Sequence, residues 1–291
     1  MATFKHISSK NADYGAAEQY LTFEHDEFTM KPTLDGNGRL VLRDDYRISS
    51  LNCGGEDFAI ACMRSNLKYG KNQRKEDVKS HHYIISFDPR DAADNGLSVD
   101  RAQQLGEQFC KEHFPGHQAL VCTHPDGHNH SGNIHVHIVI NSLRIAEVPL
   151  LPYMERPADT REGCKHRCTD AAMEYFKAEV MEMCHRENLY QIDLLNGSKN
   201  RVTEREYWAK RKGQAALDKE NASLAATGEP PKLTKFETDK EKLRRTIRTA
   251  LSSALSFEDF SGKLLQQGVT VKESRGRLSY GKCHKRGDES G

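Results

Sequence analysis

No stretch of this 291-residue chain approaches the roughly 18 to 20 consecutive apolar residues that a membrane-spanning helix needs. Met1 to Lys10 also lacks the apolar core of a signal peptide. These two absences exclude membrane insertion and point to a cytoplasmic protein. A secretory disulfide framework is missing as well. The eight cysteines (Cys53, Cys62, Cys110, Cys122, Cys164, Cys168, Cys184 and Cys283) are scattered through a large chain and read as reduced thiols. No internal repeat is visible. Charge of one sign is not in surplus either: 43 Lys+Arg against 42 Asp+Glu leave +1. Taken alone, that balance argues against a nucleic-acid partner.

What is present is segregated. Residues 1–198 carry 22 basic and 29 acidic side chains, a net −7, while residues 199–277 carry 18 and 11, a net +7. The acidic front contains a local basic run, Arg64, Lys68, Lys71, Arg74, Lys75 and Lys79. The back contains a basic helix at 240–248 with Arg244 and Arg245. Such runs permit a polyanion partner but are as often solvated faces. Histidine is uneven too. Seven of the 14 histidines fall between residues 113 and 137, where an even spread would put about one.

Hydrophobic periodicity and turn chemistry outline the elements. Thr3–Ile7 reads as a short strand, Tyr14–Leu21 as a helix with Tyr20 near its end, and Met30–Leu42 as a hairpin. Asp57–Lys68 is a helix, His82–Phe87 a strand, and the stretch from Val99 to Cys110 a helix ended by Pro115-Gly116. Two strands follow, His117–His124 and Ile134–Ser142, and then an amphipathic helix capped by Thr169. Thr203 opens a further helix, Leu217–Pro231 reads as a polar linker, and Asp239–Ala254 is a basic helix. A helix from Ser256 and a hairpin over Val269–Tyr280 complete the pattern. The expected architecture is α+β: a central, mostly antiparallel sheet flanked by helices over residues 1–198, a basic, mainly helical region with a terminal hairpin over 199–280, and a disordered tail over 281–291.

The chemistry lies in the histidine window. Residues two apart on a strand share a face, so His135, His137, Val139 and Asn141 lie together, opposite Val136, Ile138 and Ile140. Two imidazoles one pleat repeat apart can hold a metal if a third ligand approaches from a neighbouring element. His124, ending the preceding strand, is the natural candidate, with His128 and His130 in the loop as alternatives. Three imidazoles suit Zn, Ni, Fe or Cu by softness, and three protein ligands leave positions open for water or substrate. Asp126 either orients His124 as an outer carboxylate or is the turn residue of Pro125-Asp126-Gly127. Cys164-Lys-His-Arg-Cys168 has no second pair at finger spacing and reads as ordinary thiols.

His135-Val-His137 is the His-hydrophobic-His motif of HUH endonucleases. The longer pattern, Thr123-His124-Pro125-Asp126 followed by Ile134-His135-Val-His137-Ile-Val-Ile-Asn141, resembles the histidine motif of relaxases, the mobilisation nucleases of conjugative plasmids and integrative elements. Ala17-Glu-Gln-Tyr20-Leu-Thr22 is similar to their nucleophile motif, and His82-Tyr-Ile-Ile-Ser86-Phe87 to the middle strand motif whose serine lies near DNA. The three motifs occur in the family's order over about residues 1–145. One departure is the spacing, since ten residues separate His124 from His135.

The resemblance implies an HUH endonuclease-like fold and a specific reaction. Tyr20 attacks a phosphodiester of single-stranded transfer-origin DNA, becomes linked to the 5′ phosphate, frees a 3′ hydroxyl, and the reversal religates the strand. Tyr14 is the alternative nucleophile. His124, His135 and His137 would hold a divalent metal, Mn or Mg by resemblance and Zn or Ni by ligand type. Ser86, Asn141, Arg74, Lys75, Arg244 and Arg245 are the DNA-contact candidates, and Asp126 the supporting carboxylate. Accessory relaxosome and secretion-coupling proteins are implied partners, and the protein would act in the bacterial cytoplasm and be exported on its DNA. Two rival functions remain: a rolling-circle replication initiator, whose tyrosine would follow the histidine motif, and a non-enzymatic metal-stabilised DNA-binding module.

Overall fold

The computed structural model describes residues 3–26, 28–29, 31–127, 132–196, 202–231 and 233–282. The chain divides into two compact units, Met1–Ser198 and Lys199–Gly291.

The first unit is built on β1 (Thr3–Ser9), α1 (Gly15–Thr22), β2 (Arg47–Leu51), α2 (Phe58–Tyr69), β3 (Ser80–Ser86), the single turn α3 (Asp91–Asp94), α4 (Val99–His113), β4 (His117–His124), β5 (His135–Arg144) and α5 (Asp170–Arg186). The five strands form one sheet in the order β1-β3-β5-β4-β2, and every neighbouring pair is antiparallel. The expected α+β class with an antiparallel sheet therefore holds. Every residue of β4 and β5 is buried, as strands covered on both faces must be.

Alternation along these strands separates two cores. Val136, Ile138 and Ile140 of β5, with Tyr83 and Ile85 of β3 and Val121 of β4, pack against Leu105 and Phe109 of α4 and Phe176 and Val180 of α5. On the other face Leu120, Cys122 and Val139 meet Leu21 of α1 and Phe58, Ala61 and Cys62 of α2. The histidine-bearing face is thus also covered by helices. α2 starts where the Asp57 side chain accepts from the Ala59 and Ile60 N–H groups, and it stops at Gly70, whose φ of 59° is left-handed. Ser98 and Thr169 cap α4 and α5 in the same way.

Two expectations need correction. β2 was not anticipated. Its sequence, Arg47-Ile-Ser-Ser-Leu51, is short and half polar because it is an edge strand pairing only with β4. The stretch from Leu217 is not a linker until Thr227. In the second unit α6 spans Glu204–Ala226, and its C-terminal half, rich in Ala, Leu, Lys and Glu, stays helical by propensity with few buried positions. That unit continues with α7 (Asp239–Ser253), α8 (Phe257–Gln266), β6 (Val269–Ser274) and β7 (Arg277–Lys282). Ala250, Phe260, Leu264 and Val269 form its core, with Leu243, Ile247 and Tyr280 packed on it. The expected disordered tail lies outside the described residues from 283 onward. No described helix is long and apolar enough to cross a membrane.

Candidate active site

The antiparallel register places His124 of β4 directly opposite His135 of β5 and Cys122 opposite His137. His124, His135 and His137 are all buried, and one ring nitrogen from each falls within 4.8 Å of the others. The second nitrogen of each ring decides which one is offered. His124 Nε2–H donates to the Leu21 carbonyl at 2.7 Å, leaving Nδ1 facing His135 Nε2 at 3.3 Å. His135 Nδ1 donates to the Asn133 carbonyl at 3.2 Å. His137 Nδ1 pairs with Nε2 of His82 at 2.8 Å, which directs its own Nε2 inward. Burial, the largest cause, lowers the His124 imidazole to about 3 and holds His137 well below its usual range. Two imidazoles held neutral by burial and a third oriented by the Asn133 carbonyl are a donor set that fits a divalent metal. Cys122 Sγ lies 3.3 Å from His124 Nε2, but burial raises its thiol to about 12, so it remains a protonated neighbour.

Tyr20, near the end of α1, stands against this group. Its ring is perpendicular to His137, with centroids 6.2 Å apart, and lies 6.3 Å from His82. Burial raises its phenol and the Arg43 charge opposes the rise. Tyr14 is elsewhere. Its hydroxyl donates to the Lys79 carbonyl at 3.1 Å and accepts from Asn66 Nδ2 at 2.7 Å, inside a buried network that reaches Asn72 and Ser142. Burial raises that phenol to about 12.

Other candidates are distributed unevenly. Ser86 pairs with His135 in the β3–β5 register and so sits beside the triad. Asn141 does not. It pairs with Ser80 at the opposite end of β3, six residues or about 20 Å along the strand from His135. It is fully buried, its Nδ2 donates to Gln118 at 2.9 Å, and its Oδ1 accepts from the Leu143 N–H. Its side chain is thus held by hydrogen bonds within the sheet. Arg74 and Lys75 are exposed in the loop before that same far end of β3, where the Arg74 carbonyl accepts from Lys79. Arg244 and Arg245 are engaged by carboxylates, Glu206 at 2.9 Å and Glu237 at 3.0 Å. Asp126 does not orient His124, a task performed by the Leu21 carbonyl; it pairs with Arg43 at 3.5 Å instead. His128 and His130 lie outside the described residues. Cys168 Sγ lies 3.5 Å from His6, and His166 pairs with the Tyr83 hydroxyl at 2.7 Å, so that segment belongs to the core.

Sequence reasoning missed Arg43 altogether and His25 beside Tyr20, with ring centroids 5.1 Å apart. Both come from the segment after α1 that bridges back through Phe23–Leu42 and His25–Pro32. The hairpin signal in Met30–Leu42 was readable, but nothing local said that its ends return to the helix carrying Tyr20.

Comparison with known proteins matches residues 41–148 to the family described as relaxase, MobA/VirD2-like, nuclease domain. Two curated relatives from Staphylococcus aureus, each called protein rlx, are 26% identical over 232 and 225 residues, covering 80% and 77% of this chain. The chain spans 58% and 52% of their lengths, a little over half. Among solved structures, it is similar to one describing the molecular basis of vancomycin resistance transfer in Staphylococcus aureus (13% identity, TM-score 0.39, covering 70% of this chain and 97% of that one). It is also similar to the conjugative relaxase TrwC in a metal-bound complex with oriT DNA (12% identity, TM-score 0.35, covering 91% and 99%). The motif order, the antiparallel sheet and the match over its central strands agree on what the chain is similar to: residues 41–148 match the MobA/VirD2-like relaxase nuclease domain.

Proposed function

We propose that this protein nicks single-stranded DNA at a transfer origin by transesterification onto Tyr20. The Tyr20 oxygen bonds to the scissile phosphorus as the bond to the 3′ oxygen breaks. The phenol gives up its proton and the departing 3′ oxygen gains one, leaving a 5′-phosphotyrosine and a 3′ hydroxyl. Because the phosphodiester energy is kept in the new ester, the reverse reaction can rejoin strands after transfer. The observation that carries this reading is the Tyr20 ring standing 6.2 Å from His137, on the triad and not merely near it in sequence.

His124, His135 and His137 would hold a divalent ion, which would supply Lewis-acid stabilisation of charge on the phosphate. Mn is the first ion to test, with Mg next and Zn and Ni after them on ligand type. The chain's own groups do the rest. The Leu21 carbonyl and His82 fix the ligand tautomers, α1 presents the phenol, and Ser86 stands beside His135 where a DNA strand would pass. Accessory relaxosome and secretion-coupling proteins are partners on this reading, and the DNA-linked protein would be the exported species.

The test is direct. The full chain is incubated with Mn and a random pool of labelled single-stranded oligonucleotides, and DNA that stays attached under denaturing conditions is sequenced and its peptide identified. An adduct on Tyr20 that disappears in Tyr20→Phe and survives in Tyr14→Phe is expected. An undiminished adduct in Tyr20→Phe, or no adduct with any divalent metal, removes this mechanism.

A further inference from the structure

Arg43 is a charged group inside the site that the motifs did not single out. Its backbone N–H donates to the Thr22 carbonyl at 3.0 Å, and the Phe23–Leu42 bridge immediately precedes it. Arg43 is thereby tied to the end of the helix that carries Tyr20. Its side chain is only 17% exposed. A guanidinium has five N–H donors, and Asp126, itself half exposed, faces one terminal nitrogen at 3.5 Å. The Nε atom is buried with no hydrogen-bond partner among the described residues.

A buried cationic donor without an acceptor costs stability, and native proteins rarely keep one without a use. The groups within reach of its charge are the Tyr20 phenol, the imidazoles of His124 and His137, and the Cys122 thiol. None of these is an anion, and among the described residues Asp126, itself half exposed, is the carboxylate paired with the guanidinium. The acceptor that such a fork fits is a phosphate oxygen.

We propose that Arg43 is a catalytic residue that donates to a non-bridging oxygen of the scissile phosphodiester, holding it beside Tyr20 and stabilising the charge of the displacement. The guanidinium stays protonated throughout; the bonds formed and broken are those of the Tyr20 reaction, on which this assignment rests. Asp126 is then a positioning residue, steadying the outer edge of the guanidinium.

The experiment uses the full chain in Mn with a single-stranded oligonucleotide that the wild type cleaves, under single-turnover conditions. The scissile phosphate is either native or a methylphosphonate, which has lost its anionic oxygen. R43Q is expected to slow adduct formation about 100-fold or more on the native strand, with R43K falling between R43Q and wild type. On the methylphosphonate, wild type and R43Q should differ by less than about threefold, because the negative charge that the guanidinium pairs with is gone and only a neutral oxygen remains. Mn affinity, measured by titration calorimetry without DNA, should be the same in both proteins.

An R43Q rate equal to wild type, or a deficit equally large on the methylphosphonate, overturns the assignment. If R43Q does not fold, R43K carries the test. It keeps the charge and loses the fork, so slowing on the native strand alone is expected, and an unchanged rate is the overturning result. A wild type that forms no adduct removes the Tyr20 mechanism and this proposal with it, whereas an adduct formed without help from Arg43 removes this proposal alone.

Discussion

At position 82 a histidine that ligates nothing decides what another histidine can do. His82 Nε2 lies 2.8 Å from His137 Nδ1, so the proton between them is His137's when His137 offers Nε2 to a metal. His124 is set by the Leu21 carbonyl and His135 by the Asn133 carbonyl, which no side-chain substitution removes. His82 is therefore, among the described residues, a side-chain partner that orients a triad histidine and is accessible to mutation. Loss of such a partner typically costs 10- to 100-fold in metal affinity, so His82→Ala should weaken Mn binding by about that factor in calorimetry. His82→Asn, which can still present an acceptor oxygen, should recover part of it. Wild-type affinity in His82→Ala would reduce His82 to a packing residue. The same partner logic explains why residue types alone misassigned Asp126 and Asn141. A carboxylate two residues from a ligand and an amide on the ligand's strand face both suggested roles. Tertiary neighbours, Arg43 for one and Gln118 for the other, settled their actual partners.

Elements were more legible than partners, because periodicity reports burial directly. The alternation in His135–Asn141 correctly separated a histidine face from a Val/Ile face, and the strand-end position of His124 anticipated its register opposite His135. β2 was invisible because an edge strand needs only one neighbour, and its half-polar Arg47–Leu51 satisfies that need without alternation. The far half of α6 was misread because Ala, Leu, Lys and Glu favour helix without forming a buried stripe. Gly106 carries a signal that only packing reveals. It lies in the middle of α4, where glycine would ordinarily weaken the helix by about 1 kcal/mol relative to alanine. A Cβ there would meet Val136 Cγ1 at 2.3 Å and Val121 Cγ1 at 3.3 Å. The glycine thus lets α4 lie close against β5, one residue from His135 and His137. Gly106→Ala should gain the helix term and lose more to overpacking of about 1–3 kcal/mol. A lowered urea midpoint is expected, and Mn affinity should weaken with it as β5 is displaced. An unchanged or raised midpoint would show that Val136 can yield without moving the strand.

Over the whole molecule, the near-zero net charge conceals an acidic first unit whose histidines occupy both faces of its sheet. One group forms the triad; the other is packed with α4 and α5. His81 pairs with His6 at 2.9 Å, and His117 Nδ1 donates to the Asn141 carbonyl at 2.9 Å. Burial is the largest cause holding His81 and His117 down at about 3 and His113 at about 4. In the unfolded chain the same side chains titrate near 6.5. Above that value neither state binds the protons and the histidines leave stability unchanged. As the pH falls from about 6.5 toward 4, the unfolded chain takes up protons that the folded chain refuses, so stability falls. The slope is up to about 1.4 kcal/mol per pH unit for each histidine. In chelator, to keep metal out of the triad, the full chain followed by circular dichroism should therefore unfold at clearly lower urea at about pH 5 than at pH 7. His113→Gln should flatten that dependence by removing one of the titrating groups. Equal midpoints at the two pH values would mean that the folded protein accommodates charged histidines on this face, and that their burial is not the constraint the packing implies.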